Sequence, residues 1–372
     1  MKKESVIYGV LLCFILTIGS IFIADLLGNI LIKLNVVPPN SASPISGIFI
    51  AIIIGIIIRN TIGLHDIFMP GITFSLKFIL RAGIVLLGLR LSLMEAVKLG
   101  AWGLPIIVIC ILVGLLVALY FTKKLNISKK LGTLIAGGTG ICGVTAIMVL
   151  SPVIKAKDDE VSYAVANITV FGLIGMLFYP YLGHFLFAGD PVKIGLFLGT
   201  SIHDTAQVTG ASLMYSQMYQ MDQVVDIATV TKLTRNLFII VIIPLISYLF
   251  YKQDVSKEVV TKPKWYIFIP LFVLGFIVMT IIRTIGDMTE SASGKAYQLF
   301  SPEVWEGIYS IGSSIGSTYF LGIAMAAVGL STNLKMFKGL GMKPFYIGLI
   351  TALTVGIVSA LLVSLFGQFI TI

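Results

Sequence analysis

Two stretches place glycine and polar side chains inside runs that are otherwise hydrocarbon: Gly137-Gly138-Thr139-Gly140-Ile141-Cys142-Gly143, and Gly199–Gly210, which reads GTSIHDTAQVTG. Four glycines in seven residues make a poor continuous helix, since each costs about 1 kcal/mol relative to alanine. A half-helix that starts at such a break points backbone N–H groups and a positive dipole end at whatever lies beyond it, which is how a protein holds an anion away from water. On that reading Gly138, Thr139, Gly140, Ile141, Cys142 and Gly143 supply donors to a bound solute; close packing of helices through small residues is the competing explanation. In the second stretch, Thr200, Ser201, His203, Asp204, Gln207 and Thr209 crowd into ten residues. His203 and Gln207 share a helix face at i, i+4, with Thr200 one turn earlier and Asp204 turned about 100° away. A histidine beside an aspartate can relay a proton or switch an anion site, because histidine changes charge nearest neutral pH. Lys232 and Arg235, spaced i, i+3, and Lys77 and Arg81, spaced i, i+4, also fall inside apolar runs. Buried cations pair with carboxylates or face cavities, and the scarcity of carboxylates at that depth, chiefly Asp204, leaves an excess of positive charge that suits an anionic solute. The expected substrate-binding set is therefore Gly138 to Gly143, Thr200, Ser201, His203, Gln207, Lys232 and Arg235, with His203 and Asp204 coupling a proton.

The elements that must hold these residues are membrane helices. Of 372 residues, 57% are hydrophobic and 12% charged, with mean hydropathy +1.02, which no soluble domain could bury. Windows of about 20 apolar residues fall near 6–27, 45–58, 71–90, 101–121, 131–151, 161–186, 192–213, 229–251, 265–284, 308–332 and 343–370. Eleven crossings are expected, the first an uncleaved helix after MKKES, with the fifth, seventh and tenth windows interrupted. Counting loop lysines and arginines on that topology gives fifteen on the N-terminal side and seven opposite, so the N-terminus is expected in the cytoplasm and the C-terminus outside, in a multi-pass cell-membrane protein. The net charge of +9 is thus a lipid-facing loop signal, and no nucleic-acid partner is expected. The chain also echoes itself. GLRLSLMEAVKLG (Gly88–Gly100) and GLSTNLKMFKGLG (Gly329–Gly341) would run in opposite directions, as an inverted repeat requires. GGTGICG and GTSIHDT echo each other too, but would run in parallel, which fits inversion poorly. One transporter domain over 1–372 is expected, with an extra helix over 1–30 and repeats near 45–186 and 192–370.

Other chemistry finds less support. Cys13, Cys110 and Cys142 are far apart and carry neither metal nor disulfide spacing. No metal or cofactor is expected. There is no phosphate loop of the Gly-x4-Gly-Lys-Ser/Thr type. Cys142 and His203 are the conceivable parts of an intramembrane enzyme, but no ligand or nucleophile triad accompanies them, so no enzymatic activity is expected. A channel or holin-like pore would share the hydropathy and stays open as the alternative.

At these motifs the chain resembles the YeiH-type sulfate exporter family. The resemblance runs through RAGIVLLGLRLSL (Arg81–Leu93), IAGGTGICGVTAI, GTSIHDTAQVTGA, TKLTRNLFIIVIIP (Thr231–Pro244) and AMAAVGLSTNLKMFKGLGMKPF (Ala324–Phe345), about three quarters of the chain. The family looks like a branch of the cation–proton antiporter and anion transporter clan. The resemblance implies an all-α polytopic fold with inverted repeats, a panel domain, and a core domain in which two discontinuous helices cross. Homodimers are usual among related folds. Ile141, Cys142, Gly143, His203, Gln207, Lys232 and Arg235 match the family pattern. Thr139 and Gly140 stand where it has two serines, and Asp204 where it often has glutamate. The sodium–proton antiporters of the clan need carboxylates at the crossing; the sixth window offers Asn167 instead, which disfavours a cation–proton antiporter.

Overall fold

The computed structural model describes residues 3–34, 45–252, 270–333 and 342–370. Among them the chain is helical, with one isolated bridge between Ala296 and Phe300. The long helices are α1 (Lys3–Lys33), α5 (Leu93–Lys124), α8 (Asp158–Phe187), α13 (Leu271–Ser293) and α16 (Met342–Phe366). Others come in stacked pieces: α2 (Gly47–Ile57), extended to Ile62; α3 (Met69–Phe74) and α4 (Leu80–Leu87); α11 (Gln223–Leu237) and α12 (Ile239–Lys252); α14 (Pro302–Ser314) and α15 (Leu321–Ser331). Eight of these rods are long and apolar enough to cross a bilayer, and 47–62 is a shorter apolar helix. Local chemistry fixes their ends. Ser92 and Glu95 cap each other's backbone at the start of α5, and Glu160 accepts from the Lys157 N–H at the start of α8, 3.0 Å away.

The windows at 131–151 and 192–213 do not cross. α6 (Lys129–Gly137) runs through a wide turn at Gly138–Cys142, reverses at Gly143, and returns as α7 (Val144–Val153). Its two ends meet: the Lys130 ammonium donates to the Lys155 carbonyl at 2.7 Å, and Ser128 donates to Glu160. A continuous helix over this span would hold those ends more than about 30 Å apart at 1.5 Å per residue. α9 (Pro191–Ser201), led by the Asp190 cap and Pro191, likewise breaks at Ile202–Asp204 and returns as α10 (Thr205–Tyr219). The Tyr215 hydroxyl, near the end of α10, sits 2.9 Å from His184 at the end of α8, just before α9 begins. Among the described residues, the windows expected to give eleven crossings therefore give eight helices long enough to cross, the shorter 47–62 helix and two re-entrant hairpins, and the expected crossing of two discontinuous spans becomes a meeting of two hairpin tips. Lys155 and Lys157 join the lysine-rich side, and Lys193 leaves it: the Lys193 stem packs against Gly367 at the end of the last helix. Of the loop charges counted above, Lys2, Lys257, Lys262, Lys264, Lys335 and Lys338 lie outside the described residues, as does most of Gly329–Gly341.

The two hairpins enter from opposite ends of the bundle, because α8 carries the chain from the base of one to the base of the other. Glycine lets the bundle close. Gly55 of α2 and Gly329 of α15 bring their backbones together so that a Cβ on Gly329 would lie 2.5 Å from the Ile52 carbonyl, and Gly9 and Gly71 do the same for α1 and α3. An ion cluster ties the end of the 66–90 rod to the start of α11: Arg90 Nε lies 2.8 Å from Asp226 and Arg90 NH2 3.3 Å from Asp222. Arg90→Ala leaves the Asp226 carboxylate, 12% exposed, without its cation. The expected loss is about 3 kcal/mol, read as a lowered melting temperature in detergent, and Asp226→Asn in the same chain should recover part of it. An unchanged melting temperature would make the pair a surface ornament.

Candidate functional site: the meeting of two hairpin tips

Each tip brings together the carbonyl end of its first arm and the N–H end of its second. Helix termini leave such groups without intrahelical partners, and here they lie deep in the bundle, so something must satisfy them. Arg235, on α11 and fully buried, satisfies the carbonyl ends of both tips. Its Nε donates to Gly140 O at 3.2 Å; one terminal nitrogen donates to Thr139 O at 2.7 Å and Gly140 O at 3.1 Å; the other donates to Thr200 O at 2.7 Å and Ile202 O at 3.4 Å. Those five contacts use the five guanidinium N–H groups. Lys232, also fully buried, donates to Ile202 O at 3.0 Å and to His203 O. Two cations thus rest on two negative helix ends, as the dipole prefers.

The N–H ends are met by an anion. Asp204 caps α10 through Ala206 N–H at 2.9 Å and also accepts from Val144 N–H, the first residue of α7, at 3.3 Å. The Cys142 thiol bonds the backbone of Ala146, one turn into α7. The reversal at Gly143 has φ +70°, and a Cβ there would lie 2.6 Å from the Asp204 carboxylate. Glycine is therefore required by conformation and by the close approach together.

Several expected donors are placed differently from the sequence reading. Within the Gly138–Cys142 turn, Thr139 and Gly140 turn their carbonyls to Arg235, and the N–H that this hairpin gives to the other tip is that of Val144. Gly138 has the packing role: a Cβ there would meet Ile147 and Ile168 at 2.9 Å. Ile141 is fully buried in the apolar cluster around this hairpin. The hydroxyls of Thr139, Thr200 and Ser201 return to the carbonyls of Ile135, Leu196 and Phe197, and Thr200 also meets Ser359 at 2.7 Å. Gln207 staples α10 to α8, its Nε2 donating to Thr169 O at 2.9 Å while its oxygen sits where a Gly172 side chain would be. Asn167 does the same toward Pro344 O and Gly348. Because each amide nitrogen faces an acceptor-only carbonyl, neither amide can flip to free a donor. Lys77 and Arg81 are exposed on the outer face of the 66–90 rod, with Arg81 over the Phe272 ring at 5.7 Å. His203 is 2% exposed, bonded to the Thr139 backbone by one ring nitrogen, with Nδ1 unpartnered.

The sequence reading missed Val144, Thr205 and Asn236. Asn236 lies one residue from Arg235 and is 2% exposed; its Nδ2 is 3.1 Å from the Thr205 hydroxyl and its Oδ1 has no partner. A buried asparagine beside two buried cations was the available signal. Arg235, Lys232 and His203 are sealed, whereas Val144, Thr145, Asp204 and Thr205 keep partial exposure. The open flank of the tips is therefore the side where the two second arms begin.

The sequence matches the family described as Conserved hypothetical protein 698 over residues 8–348. A UPF0324 membrane protein of Streptococcus agalactiae serotype V is 34% identical across 99% of both chains. Another, of Fusobacterium nucleatum, is 33% identical across 98% of this chain and 99% of its own, and one of Bacillus anthracis is 35% identical across 86% of each. No solved structure matches. Over nearly its whole length, then, the chain belongs to the UPF0324 membrane protein family.

Proposed function

We propose that this protein is a secondary transporter of a small oxyanion, sulfate or a related sulfur anion, working by alternating access. The observation that carries the reading is the meeting of two re-entrant tips, from opposite ends of the bundle, on Arg235, Lys232 and Asp204. Irregular backbone at membrane depth belongs where a solute passes, and two half-helix pairs facing each other give such a solute one site reachable in turn from either end. The charges favour an anion. The opposed helix ends offset one another, and two cations face one carboxylate, so an excess positive charge remains for the solute to balance.

The YeiH-type resemblance agrees with this substrate class. The directions of the elements suit two inverted halves. The 66–90 rod and α5 run opposite to the 302–331 rod and α16, and the first hairpin and α8 run opposite to the second hairpin and the α11–α12 rod, although the hairpin precedes its rods in the second half and follows them in the first. The GGTGICG and GTSIHDT echo thus belongs to hairpins of opposite entry, which agrees with inversion in direction though not in chain order. The lysine-rich side would be cytoplasmic, with the N-terminus there and the C-terminus outside. A proton on His203 or Asp204 would couple to the anion; Asp204 faces Lys232 of α11 and Cys142 of the first hairpin. The test is initial uptake of labelled sulfate into proteoliposomes over a concentration series, with sulfite and an organic sulfonate as competitors. Saturation with competition is expected; uptake that rises linearly without saturating would mean a pore.

A further inference from the structure

The carboxylate at the tips occupies the place an anionic solute would want. Two helices of ten and fifteen residues, α7 and α10, begin side by side at the flank of the tips whose described residues are not fully buried. Their first N–H groups converge, and Asp204 spans them, one oxygen on Val144 N–H and the other on Ala206 N–H. Gly143 is folded at positive φ against that carboxylate, so the backbone is shaped around a negative group. A second observation points to a ligand at the same spot. Asn236 sets its buried amide against Thr205, the first residue of α10, and leaves one amide atom without a partner. Its neighbour Thr205 carries a hydroxyl, which both donates and accepts, so the amide can turn its NH2 outward at no cost in hydrogen bonds. Arg235 cannot serve a solute directly, because its five N–H groups are spent on the tip carbonyls, whereas Lys232 gives two of its three to Ile202 O and His203 O. Backbone N–H groups, Asn236 and the third Lys232 N–H are what remains.

We infer that the solute site is formed by the N-termini of α7 and α10 with Asn236, and that Asp204 is an internal anion which the substrate oxyanion displaces. Asp204 therefore competes with the substrate for Val144 N–H. When the carboxylate swings out, the oxyanion takes its two backbone donors and the potential of Lys232; when the oxyanion leaves, Asp204 closes over the vacated donors. This rests on the anion-carrier reading above.

The experiment uses the full chain in detergent and measures inorganic sulfate binding by scintillation proximity for three proteins: the parent, Asp204→Asn, and Asp204→Asn with Val144→Pro. Asparagine is as good a helix cap as aspartate, so the first variant keeps α10 while removing the charge. Proline suits the first position of a helix and removes only the N–H, and glycine before it tolerates the restriction. Loss of one like charge in contact with the ligand should tighten sulfate binding by about tenfold or more, and Val144→Pro should cancel most of that gain. Parent binding that weakens or stays the same in Asp204→Asn would overturn the competition while leaving an anion carrier standing. A double variant that binds as tightly as the single one would move the site away from α7. Absence of sulfate binding in all three, with each eluting as a folded species, would overturn both this inference and the oxyanion reading.

Discussion

Arg235→Lys should leave almost no folded, transport-competent protein. The guanidinium reaches four carbonyls on two hairpins with five N–H groups in a fixed plane. Lysine offers three donors from a single point and cannot span both tips. Lys232 still serves Ile202 O, so one carbonyl (Thr200 O) or two (Thr139 O and Gly140 O) would then be buried without a donor, depending on which tip the lysine joins, each costing about 1–3 kcal/mol. The charge would remain, but set against one tip rather than between the two. Against a total stability of about 5–15 kcal/mol, this is enough to open the tips or unfold the bundle. Fluorescence-detected size exclusion should show aggregated material or a strongly lowered melting temperature, and uptake should fall by about a hundredfold or more. A monodisperse variant melting with the parent would show that water or another side chain satisfies these carbonyls, and the clamp would lose its place in the account.

Gly143→Ala should be the second most damaging change. At φ +70° an L residue carries strain of about 1–3 kcal/mol, and the new methyl would lie 2.6 Å from the Asp204 carboxylate and 3.0 Å from its Cα. The carboxylate can rotate, but the Cα belongs to the other tip, so the tips must part. The expected result is a folded protein of reduced melting temperature whose uptake falls at least about tenfold. Gly19→Ala is the control: a Cβ at Gly19 meets nothing within 4 Å, and alanine is the better helix former by about 1 kcal/mol. If both substitutions behave alike, the reversal at Gly143 does not depend on glycine.

What could be read from the sequence was where the backbone breaks. Glycine density at Gly137–Gly143 and polar density at Thr200–Thr209 marked both tips, because such residues have no reason to sit in a plain lipid-facing helix. Hydropathy could not say that these segments turn back. Two ten-residue apolar arms and one twenty-residue span have the same average, and the window at 131–151 holds either. Lys155 and Lys157 on the expected lysine-poor side were the trace of that error. The destinations of hydrogen bonds were also out of reach. Thr139, Thr200 and Ser201 looked like donors to a solute, yet a hydroxyl in a helix has a carbonyl one turn back within reach. Arg235 looked free, yet a helix broken in a dry interior leaves carbonyls that claim the nearest cation. Val144 and Thr205 combine a converging geometry with partial exposure but carry ordinary side chains, and only their position at the start of two helices gives them a part; Asn236, buried near the end of α11, takes its part from lying against Thr205.

Labelled sulfate flux into proteoliposomes, with and without an imposed pH gradient, decides whether the two tips carry an oxyanion when the parent is compared with His203→Ala. Saturable flux that responds to the gradient in the parent and collapses in the variant is the predicted result. Flux no greater than that of empty liposomes, or flux that neither saturates nor changes with the gradient or with His203→Ala, would contradict a proton-coupled oxyanion carrier built on these two tips.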